Sequence, residues 1–489
     1  MTRTAAIIGG GIIGGGWAAR FLLNGWDVRV YDPDPEAERK ITEVLVNARR
    51  SLPGLTDVAL PAEGCLSFGA SLAEVVADAE LIVEAVPERL DVKRAVYAEI
   101  EAANTDGIIA SSTSGIMPSD LQAELAYPGR LIVAHPFNPV YLLPLVELVG
   151  GAQTDAAHIE KAKGIYSDLG MYPLHCRVEI EGFLSDRLQE ALWREALWLL
   201  KDEVATAEEI DAAVAYGPGL RWAQMGTMQT FHLAGGEGGM RAMLAMFGPC
   251  LKWPWTKLMD VPELTDDFVE MVGDQCDTQA GALSPRDLEV IRDDNLVGII
   301  RSLKAQNWGA GAVAQAHDRR LRAGTVQAAR AADLPADQPV LTARRVVPLD
   351  WTDYNGHMTE SRYLHAFADA TDRFMEIIGC DADYIASGGS YFTAETHIRH
   401  LDEVHAGARI DITTRVILGE GKKMHLWHEM REGDRLLASG EHFLLHVSLE
   451  TRKPTPPSEA IAAALVRFAA GHADLPAPEG LGRAIGGPR

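Results

Sequence analysis

The chain has 489 residues, 47% of them apolar and 23% charged, which describes a globular protein long enough for about three domain cores. A net charge of −24 argues against nucleic acid and anionic membranes as partners, and no run approaches the roughly 20 apolar residues that span a bilayer. Cys65, Cys176, Cys250, Cys276 and Cys380 form no Cys-x-x-Cys or zinc spacing, so a reduced, cytoplasmic setting without a metal is expected.

The N-terminal segment runs Ile7-Ile8-Gly9-Gly10-Gly11-Ile12-Ile13-Gly14 and leads through a helix-like stretch to Val28-Arg29-Val30-Tyr31-Asp32. This is a strand, a G-x-G-x-x-G turn, a helix and a second strand ending in an acid. Gly9 permits the tight turn, Gly11 lets the backbone approach a pyrophosphate, and Gly14 allows close helix–strand packing. Gly10, Ile12 and Ile13 complete the loop and open the helix, whose unpaired N–H groups face the phosphates. Asp32 stands where a carboxylate accepts from a ribose 2′-hydroxyl and repels a 2′-phosphate, so the expected cofactor is NAD.

Short apolar strands at 81–83, 107–110 and 131–134 alternate with helical stretches, which predicts an α/β Rossmann domain over 1–180. Residues 181–325 turn helical, giving an all-α second domain for substrate and dimerisation. Residues 326–340 are polar and Pro-broken and read as a linker. One helix-like stretch at 360–378 and four extended runs then predict an α+β module over 341–460, followed by a Gly- and Pro-rich tail at 461–489.

His135 ends the strand 131–134, and Glu147 interrupts the apolar run Leu143-Pro-Leu-Val-Glu-Leu-Val. A turn through Asn138-Pro139 would return the second segment and set Glu147 against the imidazole, fixing its tautomer and leaving the other nitrogen as base. The His135-Pro-Phe-Asn138-Pro segment, Glu147, Ala110-Ser-Ser-Thr-Ser114 and Glu84-Ala-Val-Pro-Glu88-Arg-Leu-Asp-Val-Lys93 together resemble the 3-hydroxyacyl-CoA dehydrogenase superfamily over roughly 1–320. The resemblance implies His135 as base, Glu147 as its partner, Ser114 as donor to the substrate oxygen, Asn138 near the substrate, and Glu88 and Lys93 near NAD.

Where that superfamily carries Gly-Phe-x-x-Asn-Arg, this chain has Gly182-Phe183-Leu-Ser-Asp186-Arg187. An extra carboxylate attracts a cation. Trp193, Trp198, Trp222, Phe231, Trp253 and Trp255 supply either core and dimer packing or an aromatic cage for a quaternary ammonium. The combination is similar to the branch that oxidises L-carnitine, a 3-hydroxy acid bearing trimethylammonium.

In the third block, Asp353-Tyr-Asn-Gly-His-Met followed by a long helix and strands is similar to the hotdog-fold acyl-CoA thioesterases of the 4-hydroxybenzoyl-CoA type, over about 342–455. That match implies Asp353 as nucleophile or general base toward an acyl-CoA thioester, with betainyl-CoA the substrate that fits a carnitine route. Trp351, Tyr354, Tyr391 and Trp427 are cage candidates there, and Lys422 and Lys423 are candidate contacts for CoA phosphates. A homodimer is expected. The alternatives are a 3-hydroxyacyl-CoA or sugar-acid 3-dehydrogenase with a general thioesterase, or a hotdog module that serves only dimerisation.

Reduction rates with NAD and NADP are expected to differ strongly, and Asp32→Gly to narrow that gap in steady-state kinetics. Equal use of both cofactors by the unmodified chain would remove the role given to Asp32.

Overall fold

The computed structural model describes residues 3–56, 60–235, 237, 239–247, 256, 263, 265–268, 270–271, 274, 278, 282–326, 330–348, 351–353 and 355–483. Trp253, Trp255 and Tyr354 lie outside them. The chain divides into two compact units, Met1–Leu52 with Pro61–His317 and Pro53–Leu60 with Asp318–Arg489.

The first unit is built on an eight-stranded sheet: β1 (Thr4–Ile8), β2 (Asp27–Tyr31), β3 (Leu66–Phe68), β4 (Leu81–Glu84), β5 (Ile108–Ser111), β6 (Leu131–Pro136), β7 (Leu145–Gly150) and β8 (Tyr172–Cys176). Their order is β3-β2-β1-β4-β5-β6-β7-β8. The first six strands run parallel; β7 turns back antiparallel to β6, and β8 is parallel to β7. Strands β4, β5 and β6 are buried at every position, as expected for apolar runs covered on both faces. The order reverses between β1 and β4, and ligands bind at such a switch point, outside the carboxyl ends of the strands. Gly9, Glu84, Ser111 and His135 all stand there.

Two glycines of the first turn are required by geometry. Gly9 has φ +107°, and a Cβ on it would lie 2.5 Å from the Ala85 carbonyl oxygen. A Cβ on Gly14 would lie 1.8 Å from the carbonyl oxygen of Gly9. The helical block shares this unit. Its described helices include Ser185–Lys201, Ala207–Ala215, Thr227–Ala234 and Pro285–Ala305.

The second unit is a five-stranded antiparallel sheet: β9 (Val340–Val346), β10 (Gly389–His400), β11 (Arg409–Glu420), β12 (Lys423–Glu432) and β13 (Arg435–Ser448), in the order β10-β13-β12-β11-β9. The helix Glu360–Ile377 lies on it and buries Tyr363, Phe367, Ala370 and Phe374, spaced three to four residues apart on one face. A polar chain runs beneath this helix. Thr371 Oγ1 is 3.0 Å from His428 Nε2, and the other nitrogen of that ring is 2.9 Å from Thr414 Oγ1, which in turn meets Thr342 Oγ1 at 2.6 Å.

Two expected boundaries are corrected. Residues from 461 onward are not a tail: the helix Glu459–His472 packs on β11 and buries Ile461, Leu465 and Phe468, a 3.6-period stripe that the Ala-rich composition obscured. Nor is 326–340 wholly a linker. Ala331, Leu334 and Ala336 pack on the same core, and the Arg467 guanidinium donates to the carbonyls of Ala331 and Leu334.

Burial pushes His442 down to about 4 and, with His442 beside it, holds His428 well below the usual imidazole range. Unfolded histidine takes up a proton near pH 6.5, whereas folded His442 resists until about 4, so the second unit loses stability as pH falls through that window. His442 contributes about 1.4 kcal/mol per pH unit there. Urea unfolding of the second unit measured across that range is expected to show this slope, and His442→Gln to reduce it by about one proton. A flat profile would contradict it.

Candidate active sites

The pairing of β6 with β7 sets His135 opposite Glu147. His135 Nδ1 lies 3.0 Å from Glu147 Oε2, with His135 and Glu147 both buried. The second oxygen of Glu147 accepts from the backbone amides of Leu184 at 3.1 Å and Ser185 at 3.0 Å, and the Cys176 sulfur stands 4.0 Å away. Burial alone would raise this carboxyl, but the bonds from His135 and the two amides outweigh it and hold Glu147 below its ordinary range. The amides are aimed by a left-handed pair, Gly182 at φ +69° and Phe183 at φ +47°. Phe183 is fully buried, its ring 5.6 Å from that of His135, and this burial offsets an unfavourable backbone for a non-glycine residue.

Asp186 enters the same site from the first turn of the helix Ser185–Lys201. Its Oδ2 lies 3.6 Å from His135 Nε2, so the imidazole has a carboxylate on each nitrogen. Burial raises Asp186; His135 opposes this, and the charges of Glu147 and Glu190 add to it, leaving the carboxyl above its ordinary range.

Around the carboxyl ends of β4 and β5 a buried network forms on Glu84, whose function the sequence reading passed over. Its oxygens accept from Lys93 Nζ at 2.8 Å, Tyr97 OH at 2.6 Å, Ser111 Oγ at 2.6 Å and the amide of Val86 at 2.9 Å. Burial and the Glu84 charge keep the Tyr97 phenol far above its usual range, a permanent donor. Lys93 also reaches Glu88 at 3.3 Å, and Glu88 Oε1 accepts from Thr113 Oγ1 and from the amides of Ser114 and Gly115. Lys93 is thus buried between two carboxylates, whereas Ser114 is exposed on a loop that Glu88 holds.

Asn138 is exposed and, with Gly11, Ile12, Arg39, Lys40 and Tyr141, lines part of a cavity of about 400 Å³ beside the Gly-rich loop. A Cβ on Gly11 would meet nothing within 4 Å, which is the open approach a pyrophosphate needs. Asp32 accepts from the amides of Gly10 and Asp34 at the end of β2. These residues fit NAD. Among the exposed aromatics of the helical block are Trp193, Trp222 and Phe231; Trp198 is half-buried.

In the second unit, Asp353 Oδ1 accepts from the amides of Asn355 at 2.8 Å and His357 at 3.4 Å, so the carboxylate caps its own turn just before the helix Glu360–Ile377. Thr359, at the N-cap of that helix, makes no side-chain capping bond to it. His357, Glu403 and His405 cluster beside this turn, with His357 Nδ1 3.3 Å from Glu403 Oε2 and the two rings 4.6 Å apart. Sequence spacing hides this group because its members come from two segments joined by a bridge. Of the cage candidates, Tyr354 lies outside the described residues. Trp351 is fully buried with the Arg345 guanidinium 3.8 Å over its ring, and Tyr391 and Trp427 are also buried.

These features define an NAD-binding dehydrogenase of the 3-hydroxyacyl-CoA type joined to a thioesterase-like module. Residues 4–179 match the family described as 3-hydroxyacyl-CoA dehydrogenase, NAD binding domain, and 182–262 match its C-terminal domain. Residues 347–465 match the thioesterase-like superfamily. The chain is 64% identical over 99% of its length, and 99% of the relative's, to the L-carnitine dehydrogenase/betainyl-CoA thioesterase of Ruegeria pomeroyi. It is 57% identical to the L-carnitine dehydrogenase of Mesorhizobium japonicum, over 66% of this chain and 90% of that one. A crystal structure of 5-formyl-3-hydroxy-2-methylpyridine 4-carboxylic acid 5-dehydrogenase superposes with a TM-score of 0.53 at 29% identity, covering 62% of this chain and 99% of that one. The chain belongs to the family of bifunctional L-carnitine dehydrogenase/betainyl-CoA thioesterases.

Glu147→Gln is expected to lower the kcat of alcohol oxidation by roughly 10²-fold or more, since the ring loses its fixed tautomer. Glu147→Ala also strips the Leu184 and Ser185 amides of their partner and should cost about 1–3 kcal/mol in thermal or urea unfolding. A normal kcat in the Gln variant would show that the pair is structural only.

Proposed function

We propose that this chain oxidises L-carnitine to 3-dehydrocarnitine and hydrolyses betainyl-CoA to glycine betaine and CoA. The observation that carries the first activity is His135 at the carboxyl end of β6, held by Glu147 and facing Asp186. With Nδ1–H donated to Glu147, the Nε2 lone pair takes the hydroxyl proton of the substrate while the carbon-bound hydrogen leaves as hydride. NAD would be held at Gly9 to Gly14 and Asp32 and would supply the hydride acceptor. The Ser114 hydroxyl donates to the substrate oxygen, Glu88 and Lys93 keep its loop in place, and Asn138 borders the substrate entrance. Asp186 faces the trimethylammonium group, which accounts for a carboxylate where the wider superfamily has asparagine.

In the second unit Asp353 attacks the thioester carbonyl or activates a water to do so, and the amides at the start of the helix Glu360–Ile377 polarise that carbonyl. Water adds, the carbon–sulfur bond breaks, and CoA leaves as its thiol with glycine betaine as the acid. The molecule acts as a cytoplasmic homodimer in this reading. Support comes from exposed apolar side chains on the helical block, Leu188 at 71%, Trp193 at 53% and Met228 at 71% exposure, and from the free thiols of Cys65, Cys176 and Cys380. No described helix is long and apolar enough to cross a membrane.

The two activities are expected to fail separately. His135→Ala should lower carnitine oxidation about 10²- to 10⁴-fold while betainyl-CoA hydrolysis persists, and Asp353→Ala should do the reverse. Hydrolysis surviving in the Asp353 variant removes that residue from the mechanism; failure of the intact chain to hydrolyse acyl-CoA leaves the module as an assembly element.

A further inference from the structure

We infer that the free dehydrogenase site holds a proton between Asp186 and His135, and that the quaternary ammonium of L-carnitine expels it on binding. The inference rests on the reading above that Asp186 faces the cation.

A neutral imidazole carries one N–H, and here both nitrogens meet carboxylates, at 3.0 and 3.6 Å. If Nδ1–H serves Glu147, the Nε2 lone pair looks directly at a carboxylate oxygen. Two acceptors so placed repel, and a proton on either side converts the repulsion into an ion pair or a hydrogen bond. The surroundings retain that proton. The rings of Phe137 and Phe183 pack on the imidazole with centroids 4.8 and 5.6 Å away, excluding water that would otherwise screen the two groups. Glu147 comes from β7 and Glu190 from the helix of Asp186, and both disfavour a second negative charge. Cys176 on β8 adds no cation, its thiol pushed up to about 11 by burial and by Glu147. Of the groups acting on Asp186, His135 alone favours its charge.

The same proton blocks catalysis, because Nε2 must be bare to receive the substrate hydroxyl proton. A trimethylammonium group has no N–H and acts by charge alone. Beside Asp186 it neutralises the carboxylate and repels the proton, which leaves to solvent past Asp186, whose side chain is 20% exposed. The balance is protonated site plus carnitine giving carnitine complex plus one proton; the hydroxyl proton then moves to Nε2 and the hydride to NAD. An uncharged 3-hydroxy acid would bind without clearing the base. Selection for the cation therefore operates on kcat as well as on KM.

The test is calorimetry of L-carnitine binding to the full chain saturated with NADH, which cannot accept hydride, in two buffers of different ionisation enthalpy across a pH series. About one proton should be released per site at the lower pH values, with affinity rising about tenfold per pH unit until the pair is empty. Asp186→Asn and the tert-butyl isostere of carnitine should each give near-zero release and pH-independent binding, while Asp186→Glu should keep the release. NADH fluorescence verifies that each variant is folded. Zero release by the unmodified chain, with carnitine selectively weakened in Asp186→Asn, overturns the proton inference and leaves the cation reading standing. Equal weakening of carnitine and isostere removes both.

Discussion

One buried carboxylate, Glu147, ties the catalytic base to the rest of the first unit. One of its oxygens holds the ring of His135 and the other is held by the first amides of the helix that opens the helical block. A charged group with no exposure survives only if every lone pair is used, and here the partners come from two parts of the chain. The tautomer of the base therefore depends on how the helical block is seated. The unusual backbone at Gly182 and Phe183 serves this link, since it turns two consecutive N–H groups toward one oxygen. The same turn sets Asp186 within reach of the other ring nitrogen.

Glu84 repeats the device on the cofactor side. It binds Lys93, which binds Glu88, which holds the backbone and hydroxyl of the Thr113–Gly115 loop carrying Ser114. Such a chain is expensive to desolvate and worth keeping only where every member is satisfied. Both networks sit at the carboxyl ends of β4, β5 and β6, Glu147 reaching there from the start of the antiparallel β7, so the sheet supplies the rigid base. The second unit holds its long helix by a buried charge, Arg345 to Asp369 at 3.0 Å, and by neutral groups as well. His428 and its threonine partners pin the helix that follows Asp353 without introducing a charge.

The dinucleotide turn was legible because each residue type answers a local need: a left-handed Gly9, a close-packed Gly14, an acid at Asp32. The return of β7 was also legible, since Glu147 in an apolar run demands a partner and a turn stood between it and His135. Glu84 was invisible for the opposite reason. It ends an apolar strand, where an acid reads as a boundary rather than as the hub of four bonds. The Leu184 and Ser185 amides carry no side-chain signal at all. In the second unit, aromatic identity misled: Trp351 fills the core beneath Arg345, and nothing in its neighbours along the chain distinguishes a core indole from a cage wall. The final helix was missed because six of its fourteen residues are alanine and Ile461, Leu465, Phe468 and His472 alone mark the buried stripe.

The two halves therefore approach one chemical problem differently. In the dehydrogenase site, a single carboxylate where the wider superfamily has an amide gives the imidazole a second carboxylate neighbour, and burial holds that carboxyl above its ordinary range. In the second unit Trp351, Tyr391 and Trp427 are buried, and the described residues beside Asp353 include a turn, two imidazoles and a carboxylate. A net charge of −24 does not by itself select a cationic substrate, because most of it lies on solvated surface. Asp186 stands 3.6 Å from Nε2 of His135, and that position follows from the link between Glu147 and the helix carrying Asp186.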